Sequence, residues 1–379
     1  MGKGKGGCDL AISEALSYSR AESELTKQGP RKRSVKRRKT VSPEKQAERR
    51  DQVNAQVKEL EGHIQEAIEN PQKITDWIKE MRSGELWRYS YGNIGLARSQ
   101  AHFRSMEITR LAGFRRWEQL GYQVEKGQKG LHILAPKNYL RKDPKTKQPL
   151  LDNNGKKQYG IYFGSVSVFD ISQCRPILDE NGNPLNTDLE STPAAEQAVS
   201  ELCQIASEQG IDVYRGGISD PNHPDASKIN ATLVSDPSAG GFFTEIDKRP
   251  IIVTRPGLSE QEEARVLAHE LGHALMHSGR SGYKDHDDRA RKEAEAESAA
   301  YIISGQYGLS EEGQANYVAH WISSLDKKLE EQLKEEGVSG PMLRAEIKER
   351  KRWMVRDTMG NIQGAVRLVM ERASEIRSH

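Results

Sequence analysis

At 379 residues, with 35% hydrophobic and 30% charged side chains, the chain is long enough for two separate cores but too polar to be one compact globule throughout. No apolar run approaches the roughly 20 residues of a membrane span, the opening MGKGKGGCDL lacks an apolar signal core, and Cys8, Cys174 and Cys203 lie far apart without CxxC spacing. Those features exclude a disulfide scaffold or thiolate metal site and point to a cytoplasmic protein of a reducing compartment with no membrane partner. The net charge of +2 hides an asymmetry: residues 1–50 carry 14 basic against 6 acidic side chains, and residues 81–175 carry 17 against 7, so the N-terminal half suits a polyanion and the C-terminal half is acidic.

The predicted elements begin with a basic arm, residues 1–42, where Arg31 to Lys39 (RKRSVKRRK) is too like-charged to pack and is expected to be disordered. A charged helical region, 43–84, follows. It contains a helix over Glu44 to Glu69 and a second over Pro71 to Arg82 with Ile74, Trp77 and Ile78 on its apolar side. Residues 85–175 change character. Trp87, Tyr89, Phe114 and Trp117 are interleaved with Arg98, Arg115, Arg116, Lys126 and Lys129, the mixture of stacking rings and cations that a single-stranded DNA groove uses. Strands are predicted over Leu131 to Ala135 and Ile161 to Phe169, around a polar hairpin insert. Residues 176–192 read as a linker, 193–325 as a second domain, and 326–379 as a charged helical extension with two helices.

In the second domain, His269-Glu270-Leu271-Gly272-His273 places two histidines one turn apart on one helix face, with Glu270 beside them. Ser259 with Glu262 forms a capping-box signature ahead of that helix, and Arg249 to Thr254 (RPIIVT) reads as the edge strand beside the cleft. The pattern predicts a zinc site, with manganese as the other candidate metal. His269 and His273 are ligands and Glu270 is the base that takes a proton from water attacking a peptide carbonyl. A third ligand is sought among Glu293, Glu295 and Glu297. Helical phase selects Glu295, which falls on the apolar face of Ala296, Ala299, Ala300, Ile302 and Ile303, where a cation would compensate its charge. The competing reading pairs Glu295 with an Arg or Lys. His277 is expected to be a helix-end dipole partner, and either Tyr283 or Tyr301 could donate to an oxyanion.

Three stretches resemble the single-stranded-DNA-binding domain of ArdC-type antirestriction proteins: Asn93-x-x-Leu96-x-x-x-Gln100, Gly113-Phe114-x-x-Trp117 through Lys129-Gly130, and Val168-Phe169-Asp170-x-x-Gln173. His269-Glu270-x-x-His273 with Glu295-Ala296-Glu297-Ser298 resembles their zincin-like metallopeptidase domain, related to the ImmA/IrrE group. The resemblance covers roughly Glu85 to Leu325. It implies an α+β protein of two domains: a small nucleic-acid-binding domain, then a mostly helical zincin-like domain with a short sheet. It further implies a protein of a plasmid or phage that coats single-stranded DNA and carries a metal-dependent site, with the peptide substrate unidentified. Two alternatives share the same residues: a DNA-protection factor whose metal is structural, and a regulatory peptidase that cleaves a repressor or other DNA-bound protein.

Overall fold

The computed structural model describes residues 42–82, 84–153, 155–185, 194–220, 222–235, 239–278, 288–309 and 315–378. The basic run at Arg31 to Lys39 and Tyr283 lie outside them. The architecture is α+β, in two compact units. The first holds the described residues up to His63 together with Gly92–Arg175, and the second holds Ile64–Tyr91 and those from Pro176 onward.

In the first unit, helix α1 (Pro43–Glu69), which continues into the second unit, packs beside α3 (Tyr91–His102). A Cβ at Gly92 would stand 2.3 Å from Leu60 Cγ, so this helix crossing requires glycine. A three-stranded sheet has the order β1-β4-β3, with β1 at Leu111–Ala112, β3 at Leu131–Leu140 and β4 at Tyr159–Asp170. Helix α4 (Phe114–Gln119) and the small pair of β2 (Tyr122–Val124) and β5 (Cys174–Pro176) complete the unit.

The recurrent polar residues of this unit stitch its backbone together. Asn93 donates to and accepts from the backbone of Leu134 at 2.9 Å, and Gln100 does the same with His132 at 2.8 Å. Helix α3 thereby satisfies the outer edge of β3 as a neighbouring strand would. Asp170 accepts from the backbone N–H groups of Thr109, Arg110 and Ser172, while Gln173 closes a capping box onto Asp170 N.

The second unit begins with α2 (Gln72–Met81), whose Ile74, Trp77, Ile78 and Met81 are buried. That apolar face is why Ile64–Tyr91 sorts with the C-terminal unit, in place of the separate region 43–84 expected from composition. Helix α5 (Ala195–Glu208) is followed by β6 (Asp212–Tyr214) and α6 (Ala226–Ser235), neither of which the sequence announced. Strands β7 (Gly241–Ile246) and β8 (Arg249–Thr254) form a hairpin whose turn residues Asp247 and Lys248 both have positive φ, 50° and 62°. The sheet order is β6-β8-β7. Arg249–Thr254 is therefore the central strand, buried at all but its first residue, and the edge strand is Gly241–Ile246; an uninterrupted apolar run marks a strand covered on both faces. One face packs on α6 through Ile218, Ile229, Ile246, Ile251 and Val253. Helices α7 (Glu260–His277) and α8 (Arg289–Gln306) pair closely, and α9 (Tyr317–Glu335) and α10 (Gly340–Ile376) pack around α8. The C-terminus is one 37-residue helix in place of two, and its buried Val355, Ile362, Val366 and Val369 make it part of this unit's core.

Candidate metal centre

Helix α7 starts at the expected capping box, with Ser259 N donating to Glu262 Oε2 at 2.8 Å and Glu262 N donating to Ser259 Oγ at 3.3 Å. Its inner face carries Ala264, Leu267, Ala268 and Leu271, all buried. The motif's Gly272 fixes how near α8 can come: a Cβ there would sit 3.3 Å from Ala296 Cα. That approach brings the flank of α8 alongside the histidines. The resulting cleft has a volume of about 1070 Å³ and is lined by the β7 edge from Gly240 to Phe243, by His269, Glu270 and His273, and by Glu293, Glu297 and Tyr301.

His269, His273 and Glu293 offer donor atoms that converge. The two Nε2 atoms are 3.1 Å apart, and Glu293 Oε2 is 3.7 Å from the first and 3.6 Å from the second. Ligands of a tetrahedral zinc at about 2.0–2.1 Å stand about 3.3 Å from one another, so the spacing fits a divalent ion. Hydrogen bonding behind the rings fixes which nitrogens can bind. The Glu297 carboxylate can only accept, so His269 Nδ1 donates to it at 3.0 Å and Nε2 keeps its lone pair. Behind His273, a chain runs through His277. Glu295 Oε2 accepts from His277 Nε2 at 2.9 Å, and the other ring nitrogen of His277, Nδ1, can accept from His273 Nδ1 at 3.0 Å. His273 Nε2 is left bare and aimed at the same point.

Two lone pairs and a carboxylate facing one point call for a cation. The proton affinities show the same demand. Burial pulls the His269 imidazole down, yet hydrogen bonds to Glu293 and Glu297 outweigh it and lift it to about 10. Hydrogen bonds from His269 and His273 hold Glu293 far below the usual carboxylate range, while burial lowers His273. Glu270 lines the same cleft, and burial pushes its carboxyl up to about 7 against the pull of His269 and the Phe243 N–H.

Glu295, the ligand selected by helical phase, is not at this point. It is 1% exposed, and its Oε1 accepts from Arg291 Nε at 2.8 Å and Asn361 Nδ2 at 3.2 Å. Burial opposes its charge, but His277 and Arg291 keep it below the usual carboxylate range. The compensating cation is thus Arg291, fully buried one turn away and also paired with Asp357. Helical phase puts Glu295 on the apolar face, whereas the cleft opens on the flank. The signal for the flank was present: Glu293 and Glu297 are one turn apart, the same spacing as the two histidines, and both line the cleft. His277 holds His273 in orientation, a role beyond that of a helix-end partner. Tyr301 lines the cleft with the Arg82 guanidinium 4.6 Å from its ring centroid.

The residues expected to contact DNA divide sharply. Trp117 is fully buried, donates from Nε1 to Phe169 O at 3.0 Å and packs on Tyr122, so it is a core ring and not a stacking platform. Trp87 is 3% exposed under the Arg88 guanidinium, and together with half-buried Tyr89 it belongs to the second unit. Phe114 is 46% exposed. It shares a shallow cleft of about 390 Å³ with Lys126, Gln128, Phe169 and Arg175. Arg98, Arg115 and Lys129 are exposed and Arg116 is half-buried.

Residues 44–169 match the family model described as the N-terminal domain of anti-restriction factor ArdC, and residues 227–334 match a peptidase family described as the IrrE N-terminal-like domain. Together the two matches support an ArdC-type two-domain organisation. An uncharacterized protein of Bacillus anthracis is 25% identical over 301 residues, 73% of this chain and 48% of that protein; the chain spans about half the length of that curated relative. Two crystal structures of a plasmid's antirestriction protein ArdC are also similar. The metal-free one shows 20% identity and a TM-score of 0.37, covering 76% of this chain and 86% of that one. The Mn(II)-bound one shows 18% identity and a TM-score of 0.38, covering 83% and 98%. The ArdC N-terminal match spans α1 to β4 and so includes Asn93 and Gln100, and the IrrE-like match contains every residue of the proposed metal cluster. Among the described residues, no helix is long and apolar enough to cross a membrane.

Proposed function

We propose that this ArdC-type protein is an antirestriction factor of a mobile element. Its N-terminal unit binds single-stranded DNA, and its C-terminal unit hydrolyses a peptide bond with a divalent metal, zinc first and manganese second. The observation that carries the hydrolytic half is the convergence of His269 Nε2, His273 Nε2 and the Glu293 carboxylate beside a buried Glu270. His269, His273 and Glu293 would hold the ion. When bound, it would supply Lewis acidity to a carbonyl and make water a stronger acid.

The chain's own residues provide the remaining work. Glu270 takes the proton of the attacking water at its carboxylate and hands it to the leaving amine. Edge strand β7, which lines the cleft, offers backbone groups along which an extended peptide can lie. Glu297 and the His277–Glu295 pair keep the two imidazoles oriented.

The test is Glu270→Gln. Metal content measured on the purified protein should match wild type, while cleavage of a mixture of unstructured peptides, read by mass spectrometry, should fall by at least about 100-fold. Retained cleavage with retained metal would remove Glu270 from the reaction. Wild-type protein that holds metal and cleaves nothing would leave the site a structural one.

A further inference from the structure

The aromatic residues that the sequence suggested for base stacking are largely core, but a different set is exposed. Strands β3 and β4 pair from Leu131↔Val168 to Leu140↔Tyr159, and their distal half is exposed on both faces. Tyr139 is 49% exposed, Tyr162 50% and Tyr159 60%. The register puts Tyr139 opposite Gly160 and Lys137 opposite Tyr162 on one face. Glycines on the partner strand let those side chains lie down on the sheet. A Cβ at Gly160 would stand 2.5 Å from the Tyr139 ring, and one at Gly164 would stand 2.8 Å from Lys137 Nζ. The Tyr139 and Tyr162 rings are 6.1 Å apart, and Lys137 Nζ is anchored on Ser165 O at 2.9 Å.

Beyond the ribbon, residues 141–158 carry six exposed cations, Arg141, Lys142, Lys145, Lys147, Lys156 and Lys157. The two carboxylates among them are engaged in the turns. Asp143 accepts from the N–H groups of Lys145 and Thr146, and Asp152 from that of Lys156.

We propose that this ribbon is the surface on which the N-terminal unit binds single-stranded DNA: bases stack on Tyr139 and Tyr162, and the strand's phosphates run along the cationic insert. The proposal rests on the reading of that unit as a single-strand binder and gives it a location. Two neighbouring rings held half in solvent offer apolar surface that a planar partner gains free energy by covering. The excess of lysine selects an anionic partner. A nucleobase on a phosphate backbone satisfies both demands. Single strands are specified because the base faces are hidden inside a duplex. Exposed Tyr159 on the opposite face of the ribbon gives a third ring for a strand that wraps the tip.

The experiment uses the full chain and a fluorescent oligo-dT strand, titrated over a salt series by anisotropy. Tyr139→Ser with Tyr162→Ser should weaken binding by at least about tenfold, and Tyr139→Phe with Tyr162→Phe should keep wild-type affinity. Changing Lys145, Lys147, Lys156 and Lys157 to Gln should lower the slope of log K against log salt by about 0.7 for each phosphate no longer neutralised. Melting curves matching wild type would show that the unit stays folded, as expected for side chains outside the core. Unchanged affinity in the serine pair, while Phe114→Ser with Lys126→Gln abolishes binding, would overturn the ribbon and keep single-strand binding by this unit. Equal affinity for a duplex of the same length would overturn the stacking role. Failure of the wild type to bind the strand would overturn both the ribbon and the reading beneath it.

Discussion

Glu293 and Glu295 are two residues apart on one helix, and the structure gives them opposite duties that a pair of substitutions separates. Glu295→Gln removes the negative charge from a site where both it and Arg291 are 1% exposed and 2.8 Å apart. Breaking a buried pair by removing one partner costs about 3–5 kcal/mol. At about 2–4 °C per kcal/mol for a unit of this size, melting of the C-terminal unit should drop by roughly 6–20 °C. Glu293 is 46% exposed, so Glu293→Gln should change stability by less than about 1 kcal/mol without added metal.

Metal binding should rank the other way. Loss of Glu293 removes one of three protein ligands. Loss of Glu295 disturbs only the support behind His277, an effect of about 10–100-fold. Calorimetric titration with zinc and with manganese, beside thermal melts of the same samples, reads both quantities. If Glu293→Gln binds metal like wild type while Glu295→Gln binds none and melts normally, the ligand assignment drawn from the structure is wrong and the one drawn from helical phase is right.

Further outcomes follow from neighbouring contacts. His277→Leu leaves all three donors in place but cuts the chain behind His273, and it should weaken metal about 10–100-fold in the same titration; unchanged affinity would show that His273 needs no brace. Trp117→Ala empties a fully buried site and should cost about 3–5 kcal/mol in urea unfolding, whereas Phe114→Ala, at a half-exposed ring, should cost about 1 kcal/mol or less. Glu201 is held below its ordinary 4.5, because Arg377, Tyr307 and Gln197 together outweigh its burial. Stability from this carboxylate is therefore complete above 4.5 and lost as pH falls through the lower folded value. Against Glu201→Gln, the wild-type advantage in urea midpoint should be full at neutral pH and close in acid; a gap constant with pH would show that the charge is not what stabilises the site.

Elements with strong local grammar were legible in the sequence. Helix α7 begins at its capping box, α1 and α2 fall within two residues of their expected starts, and so do β3 and β4, although β3 runs on past Ala135 to Leu140. The histidine pair was legible because a turn of helix fixes its geometry. What failed was everything decided by a partner far along the chain. Phase showed that Glu295 is buried; the competing reading of an Arg partner holds in Arg291 one turn away, while Asn361, from distant α10, was not foreseen. Trp87 and Trp117 looked like stacking rings because composition cannot distinguish a ring over a core from one over solvent. Asn93 and Gln100 stood out only as positions of a family resemblance, and their amides complete the edge of a sheet. Helix α6 lies against the sheet through Ile229 and Leu233, too short and weakly patterned a stretch to announce itself.

Helix α2 has a consequence for how the polypeptide reaches this state. Its buried residues Ile74, Trp77, Ile78 and Met81 find their cover on α8 and α9, and Arg82 donates to the backbone oxygens of Tyr301 and Leu309. During synthesis the whole β3–β4 region emerges in between. At about 5–20 residues per second, α2 waits roughly 13–50 s until both partners are made. A ribosome from which residue 175 has just emerged would carry all of the first unit's sequence and, set between its two segments, an apolar helix still looking for a surface. This chain should therefore draw a chaperone early, and a fragment that begins at the linker should aggregate, because α8 and α9 would expose the face that α2 was made to fill.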